Sequence, residues 1–142
     1  MSRPSMGWLL DTNVVRGLRR TSLLDGGDPA FRRWAARRPA GVDHISVVTL
    51  IELELSVRTL EQRDRARGIE ARRWYDDQVV PEFEGRVLAV DAPVARAAAA
   101  LNGPDRDTLI AATASVHGLG IATRNVRAFA PYSLRVFNPW VG

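Results

Sequence analysis

Three carboxylates define the chemistry this chain can offer: Asp11, Glu52 and Asp107. Each lies against apolar sequence. Asp11 closes the run Trp8-Leu9-Leu10, Glu52 stands between Ile51 and Leu53, and Asp107 precedes Leu109-Ile110-Ala111-Ala112. A carboxylate in such surroundings is costly unless it meets donors or a cation. Three of them gathered by a fold would form an oxygen-rich pocket suited to Mg2+ or Mn2+. A divalent cation there lowers the pKa of a bound water and offsets charge developing on phosphorus, which is the chemistry of phosphodiester hydrolysis.

Helix capping offers each residue another role. Asp11, Thr12 and Asn13 are all N-cap types, although a cap needs only one of them. Thr49 and Glu52 have the spacing of a capping box. Asp105, just after Pro104, is a better cap than Asp107, which shares a helix face with Ile110, Ala111 and Ala114. Glu54, two residues beyond Glu52, points to another face and reads as solvated. On these residues alone, capping and metal binding both stand.

The elements that would position the acids alternate between short β-like runs and helices. Strands are expected at Trp8 to Leu10, Ile45 to Val48, Val87 to Val90, Ile121 to Thr123 and Leu134 to Phe137. Helices are expected from Asn13 to Arg20, Phe31 to Arg38, Thr49 onward with Leu50, Leu53, Val57 and Leu60 in phase, Pro93 to Leu101, and Thr108 to His117. Glu61 to Arg73 reads as a charged, solvated helix or helix pair that Pro81 closes. Gly26-Gly27-Asp28-Pro29, Pro39-Ala40-Gly41 and Asn102-Gly103-Pro104 punctuate the pattern. Such alternation predicts an α/β fold, a three-layer α/β/α domain over residues 1–142 with a mainly parallel sheet. Ligands of such sheets bind beyond the carboxyl ends of the strands, where Asp11 and Asn125 both fall.

Other chemistries find little support. The chain has no cysteine, so a thiolate metal site and a disulfide framework are excluded. There is no Gly-rich phosphate loop, HExxH or GxSxG motif. His44 and His117 are not at ligand spacing and read as structural. No apolar run approaches the roughly 18 residues that span a bilayer, and Met1 to Gly7 does not read as a secretory signal; a cytoplasmic protein is expected. All 20 basic residues are arginine, giving a net charge of +4. Guanidinium forks suit phosphate oxygens, so a nucleic acid or an acidic partner is expected.

Four segments in order carry a family resemblance: Leu10-Asp11-Thr12-Asn13-Val14, Ile45 through Leu53, Asp107 through Ala114, and Ala122-Thr123-Arg124-Asn125. Together they resemble the PIN domain, and the closing Phe137-Asn138-Pro139-Trp140 resembles its VapC-type toxin branch. The resemblance spans essentially the whole chain. It implies a Mg2+- or Mn2+-dependent endoribonuclease, the toxic half of a type II toxin–antitoxin pair, restrained by a VapB-type antitoxin and usually homodimeric. It implies Asp11, Glu52 and Asp107 as the acidic metal positions and Asn125 as the fourth, catalytic corner. Asn125 brings no charge, and Ala128 stands where many relatives carry a further Asp, so one strongly held cation is expected.

In the role set that follows, Asp11 and Asp107 bind the cation while Glu52 completes the pocket and orients or deprotonates water. Thr12, Asn13 and Thr123 shape it. Asn13, Arg16, Arg124 and Arg127, with Arg19, are candidates for guiding the RNA backbone. The charged Glu61 to Arg73 stretch and Leu18, Trp34 and Leu60 are candidates for the antitoxin groove or dimer contact. Two rivals remain at this level: a metal-dependent nuclease of flap or single-stranded DNA, and a non-catalytic nucleic-acid-binding module whose acids are caps.

Overall fold

Leu9 and Leu10 lie side by side on a strand and are both fully buried, so this strand must be covered on its two faces. It is β1, Trp8–Leu10, in a computed structural model that describes residues 7–21 and 27–141, the side chains of Arg20 and Thr21 apart. Gly26 of the first expected break falls outside the described residues. Because side chains alternate along a strand, Leu10 joins a core with Val14, Phe31, Leu53 and Val57, whereas Leu9 joins one with Ile110, Ala111, Ala114 and Phe129.

The elements after β1 supply those two covers. Helices α1, Thr12–Thr21, and α2, Pro29–Arg37, lead to β2, Ile45–Ser46. Next come α3, Val47–Arg63, and α4, Arg65–Trp74, then a π-helical turn at Tyr75–Val79 and the short α5, Val80–Glu82. After β3, Val87–Leu88, the chain forms α6, Ala92–Ala100, and α7, Arg106–Val116. It ends with β4, Gly120–Ala122, α8, Val126–Phe129, and β5, Val136–Phe137.

Among the described residues all strand pairings are parallel: β1 with β4, β4 with β5, and β2 with β3. A parallel bridge between Leu9 and His44 joins the two sheets, with Leu10 N donating to His44 O at 2.8 Å and His44 N to Trp8 O at 3.0 Å. The spatial order is therefore β3-β2-β1-β4-β5. The chain builds outward on one side of β1, then crosses to the other. The expected three-layer α/β/α arrangement with a parallel sheet is the one found. Among the described residues no helix is long and apolar enough to cross a membrane.

Several boundaries differ from expectation for identifiable reasons. The second strand stops at Ser46, whose hydroxyl accepts from Val48 N at 3.0 Å and starts α3 at Val47, two residues before Thr49. Pro81 closes the helical region to within a residue, since α5 ends at Glu82. α8 is a four-residue helix that lacks enough periodicity to be read from sequence. Glu54 is not simply solvated, since Arg72 grips it at 2.9 and 3.1 Å and Arg58 at 2.8 Å. These arginines hold its carboxyl down at about 2.

Asp43, only 3% exposed, fastens the approach to β2. Arg86 reaches its Oδ1 at 2.9 Å and Arg38, the C-cap of α2, reaches both of its oxygens. That pair of guanidiniums offsets the burial of one carboxylate. The charged hairpin of α3 and α4 turns at Asp64, which caps α4 by accepting from Arg67 N at 3.2 Å. It closes tightly because position 68 has no side chain: a Cβ on Gly68 would lie 2.5 Å from Glu61 Cα. Gly68→Ala should therefore force the two helices apart and cost about 1–3 kcal/mol, in line with other overpacked sites. Denaturant unfolding checks this, and an unchanged midpoint would show that the hairpin can relax.

Candidate active site

The strand order reverses beside β1, so a crevice opens past the carboxyl ends of β1 and β4. Asp11 follows β1 directly and its N–H donates to Ala122 O at 2.9 Å, which fixes it at the mouth of that crevice. Asp11 is 1% exposed. Thr123, next after β4 and fully buried, donates from Oγ1 to Asp11 Oδ2 at 2.7 Å. Asp11 Oδ1 also accepts from Thr12 N at 2.8 Å. A buried carboxylate is thus held on both oxygens by donors that the strand ends provide.

Glu52 enters from α3. Because α3 begins at Val47, Thr49 and Glu52 sit inside the helix and the capping box does not form. Instead Thr49 Oγ1 pairs with Thr12 Oγ1 at 2.9 Å, and Thr12 Oγ1 donates to Glu52 Oε1 at 2.6 Å. Asp107 enters from the first turn of α7, where Asp105 is the cap, accepting from Thr108 Oγ1 at 2.6 Å. The cap that sequence assigns to Asp105 leaves Asp107 available to the pocket.

At the centre stands a residue that the sequence reading passed over, Arg106. Its Nε donates to Glu52 Oε2 at 2.7 Å, its Nη1 to Asp107 Oδ1 at 2.7 Å, and its Nη2 to Asp11 Oδ1 at 2.5 Å and Glu52 Oε1 at 2.9 Å. One guanidinium therefore spans all three acids. A cation in the first turn of a helix opposes the helix dipole, but α4 opens with Arg65 and Arg67 in the same way, so this feature alone does not single out Arg106. Among the described residues no three acidic or imidazole side chains lie close enough to share a metal in this arrangement. The guanidinium stands between them.

The donor set nonetheless fits a hard divalent cation. It consists of carboxylate oxygens and hydroxyls only, it already draws in a cation, and Asp11 is too buried to remain without one. Asp11, Asp107 and Glu52 are the residues that would hold the metal. Of the remaining sequence candidates, Asn13, Arg16, Arg124 and Asn125 lie around the rim, whereas Arg19 stacks over the Trp74 ring of α4. Asn13 Oδ1 accepts from Arg124 N at 3.2 Å and its amide donates to Thr123 Oγ1 at 3.4 Å. Arg16 donates to Ser56 Oγ at 2.6 Å. Asn125 and Arg127 are exposed, and the Asn125 N–H donates to Thr123 Oγ1 at 3.0 Å. The acids converge on one point, to which Asn125 is tied through Thr123.

Beside the acids, Asn13, Arg16, Arg124, Phe31 and Trp140 line a cavity of about 270 Å3. Arg124 lies over the Trp140 ring at 4.9 Å, and Trp140 stacks on Phe31 at 4.4 Å. Gly17 admits this stack, since a Cβ there would meet Phe31 at 2.8 Å. His44 and His117, as expected, take no part in the pocket: His44 bridges β1, and His117 ends α7.

Burial pushes the Glu52 carboxyl up, but its hydrogen bonds from Arg106 and Thr12 and the Arg106 charge outweigh that, so its pKa is lowered from 4.5. For a depressed carboxylate, the stabilising contribution is complete above the unfolded value and is lost as pH falls through the folded one. The metal-free protein should thus be stable down to about pH 4.5 on this account and weaken below it. In Glu52→Gln this part of the acid limb should flatten, as thermal melts from pH 6 to pH 3 would show.

Against known proteins, no family model matches the chain. Individual relatives do. The chain is 35% identical to Toxin FitB of Neisseria gonorrhoeae over 148 residues, covering 93% of this chain and 97% of that one. It is 29% identical to VapC ribonuclease Y4jK of Sinorhizobium fredii, covering 93% and 96%. Among solved structures, FitAcB from Neisseria gonorrhoeae superposes with a TM-score of 0.80 at 29% identity, covering 96% of this chain and all of that chain. With the sheet order, the acids at the switch point and these relatives agreeing, the chain belongs to the VapC-type PIN-domain toxins.

Proposed function

We propose that this toxin is a Mg2+- or Mn2+-dependent endoribonuclease whose pocket is formed by Asp11, Glu52 and Asp107. The observation that carries this reading is the convergence of three carboxylates, from a strand end and two helices, on a single cationic group. The ribonuclease names of relatives support RNA as the substrate class. When bound, the cation supplies an acidified water and offsets charge at the scissile phosphorus.

The chain's own groups do the rest. Thr123 Oγ1 fixes one oxygen of Asp11, and Thr12 Oγ1 fixes one oxygen of Glu52, so both carboxylates meet the substrate in a set orientation. Glu52 is 30% exposed at its side chain, so water can reach it; it takes the proton as water attacks phosphorus and the bridging oxygen leaves. Arg16 and Arg124 flank the cavity beside the acids and engage RNA phosphates, with Asn13 tying that wall to Thr123. Asn125 closes the fourth corner, and Arg127 on α8 extends the basic track. The 2′-hydroxyl is what separates RNA from DNA substrates.

The toxin works in the cytoplasm against a VapB-type antitoxin. A groove of about 800 Å3 lined by Leu18, Ala35, Trp74 and Phe83, with Arg32 and Arg33 at its edge, suits an amphipathic antitoxin segment carrying acidic residues. Exposed Ile51 and Leu55 on α3 are the surface for a homodimer.

Asp11→Asn should lower RNA cleavage by at least about 100-fold and relieve growth arrest while the circular dichroism spectrum stays native. The assay is purified protein with total RNA, with Mg2+, Mn2+ or EDTA, and cleavage ends mapped. An undiminished rate in the variant, or cleavage that persists in EDTA, would contradict the metal reading. Cleavage of flap DNA but not RNA would redirect it to the DNA nuclease. Arg124→Ala should raise KM several-fold with less effect on kcat and reduce the salt dependence of binding.

A further inference from the structure

The space between the three acids is already taken by a side chain of the same protein. We propose that Arg106 is a built-in counter-ion that closes the metal-free pocket, and that a divalent cation must displace it to bind. This rests on the metal-dependent reading above.

Three observations support it. Arg106 donates to Asp11, Glu52 and Asp107 at 2.5 to 2.9 Å, and its Nη2 also reaches Thr12 Oγ1 at 3.3 Å. These are the same oxygens a cation would use, and +1 and +2 charges cannot share them at contact distance. Second, the side chain is 36% exposed, so the guanidinium has an open path to solvent by rotation about its own bonds. Third, Arg106 is at the first position of α7, where the dipole repels a positive charge. Once a cation neutralises the acids, no electrostatic attraction from this helix end holds the guanidinium in place.

The latch has two effects of opposite sign. In the metal-free protein it relieves repulsion among three carboxylates, one of them buried, and so stabilises the fold. Toward the cation it is a competitor, reducing apparent affinity in proportion to the fraction of molecules in which it is closed. Metal loading is therefore shifted to higher concentration by the reciprocal of the open fraction.

Isothermal titration of Mn2+ into the full chain and into Arg106→Ala, Arg106→Lys and Arg106→Gln tests this without reference to cleavage. The expected order of affinity is wild type weakest, Lys intermediate, Ala and Gln tightest, with Ala at least about tenfold tighter than wild type. Metal-free Arg106→Ala should melt lower than wild type, and saturating Mn2+ should raise its Tm by more. Should the variants fail to fold, the Arg106 Nε–H resonance of the wild type serves instead. It should shift toward that of a solvated guanidinium as Mg2+ is added, saturating with the binding isotherm. Equal or weaker Mn2+ binding in Arg106→Ala, or an Nε–H resonance unmoved at saturating Mg2+, would overturn the latch and leave the metal site standing. No saturable binding in any of the proteins would overturn both.

Discussion

The constraint on which this structure turns is electrostatic: Asp11 is a carboxylate with 1% of its surface in water, and two more acids are brought to within one guanidinium of it. Burying such a group is tolerable only where donors and a positive charge compensate it. Much of the local architecture reads as that compensation. Thr123 ends β4 and Thr12 starts α1, each delivering a hydroxyl to an acid. Ser46 starts α3 early, so that Glu52 faces inward. Arg106 completes the set.

The topology explains why the acids meet where they do. β1 is central, with β2 on one side and β4 on the other, and the direction of chain growth reverses beside it. Loops leaving β1 and β4 diverge there, and only at that point does a parallel sheet covered on both faces open a crevice to solvent. Leu9 and Leu10, facing opposite cores, anchor the floor on both faces of the sheet. The same fold holds a second charge cluster, Asp43 and Glu82 with Arg38 and Arg86, but there two guanidiniums balance two acids. The contrast separates a structural ion cluster from a site built around an excess of negative charge.

Much of this is legible in the sequence, because strand ends and apolar helix faces carry strong local signals. β1 shows itself in Trp8-Leu9-Leu10, α7 in Thr108 to Ala114, and the acids in their apolar surroundings. What sequence leaves undecided is competition between local partners. The Thr49–Glu52 capping box is a sound local reading that loses to Ser46, because tertiary contacts to Thr12 and Arg106 favour the earlier helix start. Arg106 escapes notice since it sits between two aspartates in a chain crowded with arginine. A cation at a helix amino end, which α4 also shows, becomes meaningful only once Glu52 and Asp11 are known to face it.

A crystal grown with Mn2+ and measured at a wavelength where manganese scatters anomalously tests the shared pocket most directly. The account predicts an anomalous peak among the carboxylates of Asp11, Glu52 and Asp107, with the Arg106 guanidinium turned out to solvent. Arg106 still seated on all three acids, with no peak between them at saturating Mn2+, would contradict it.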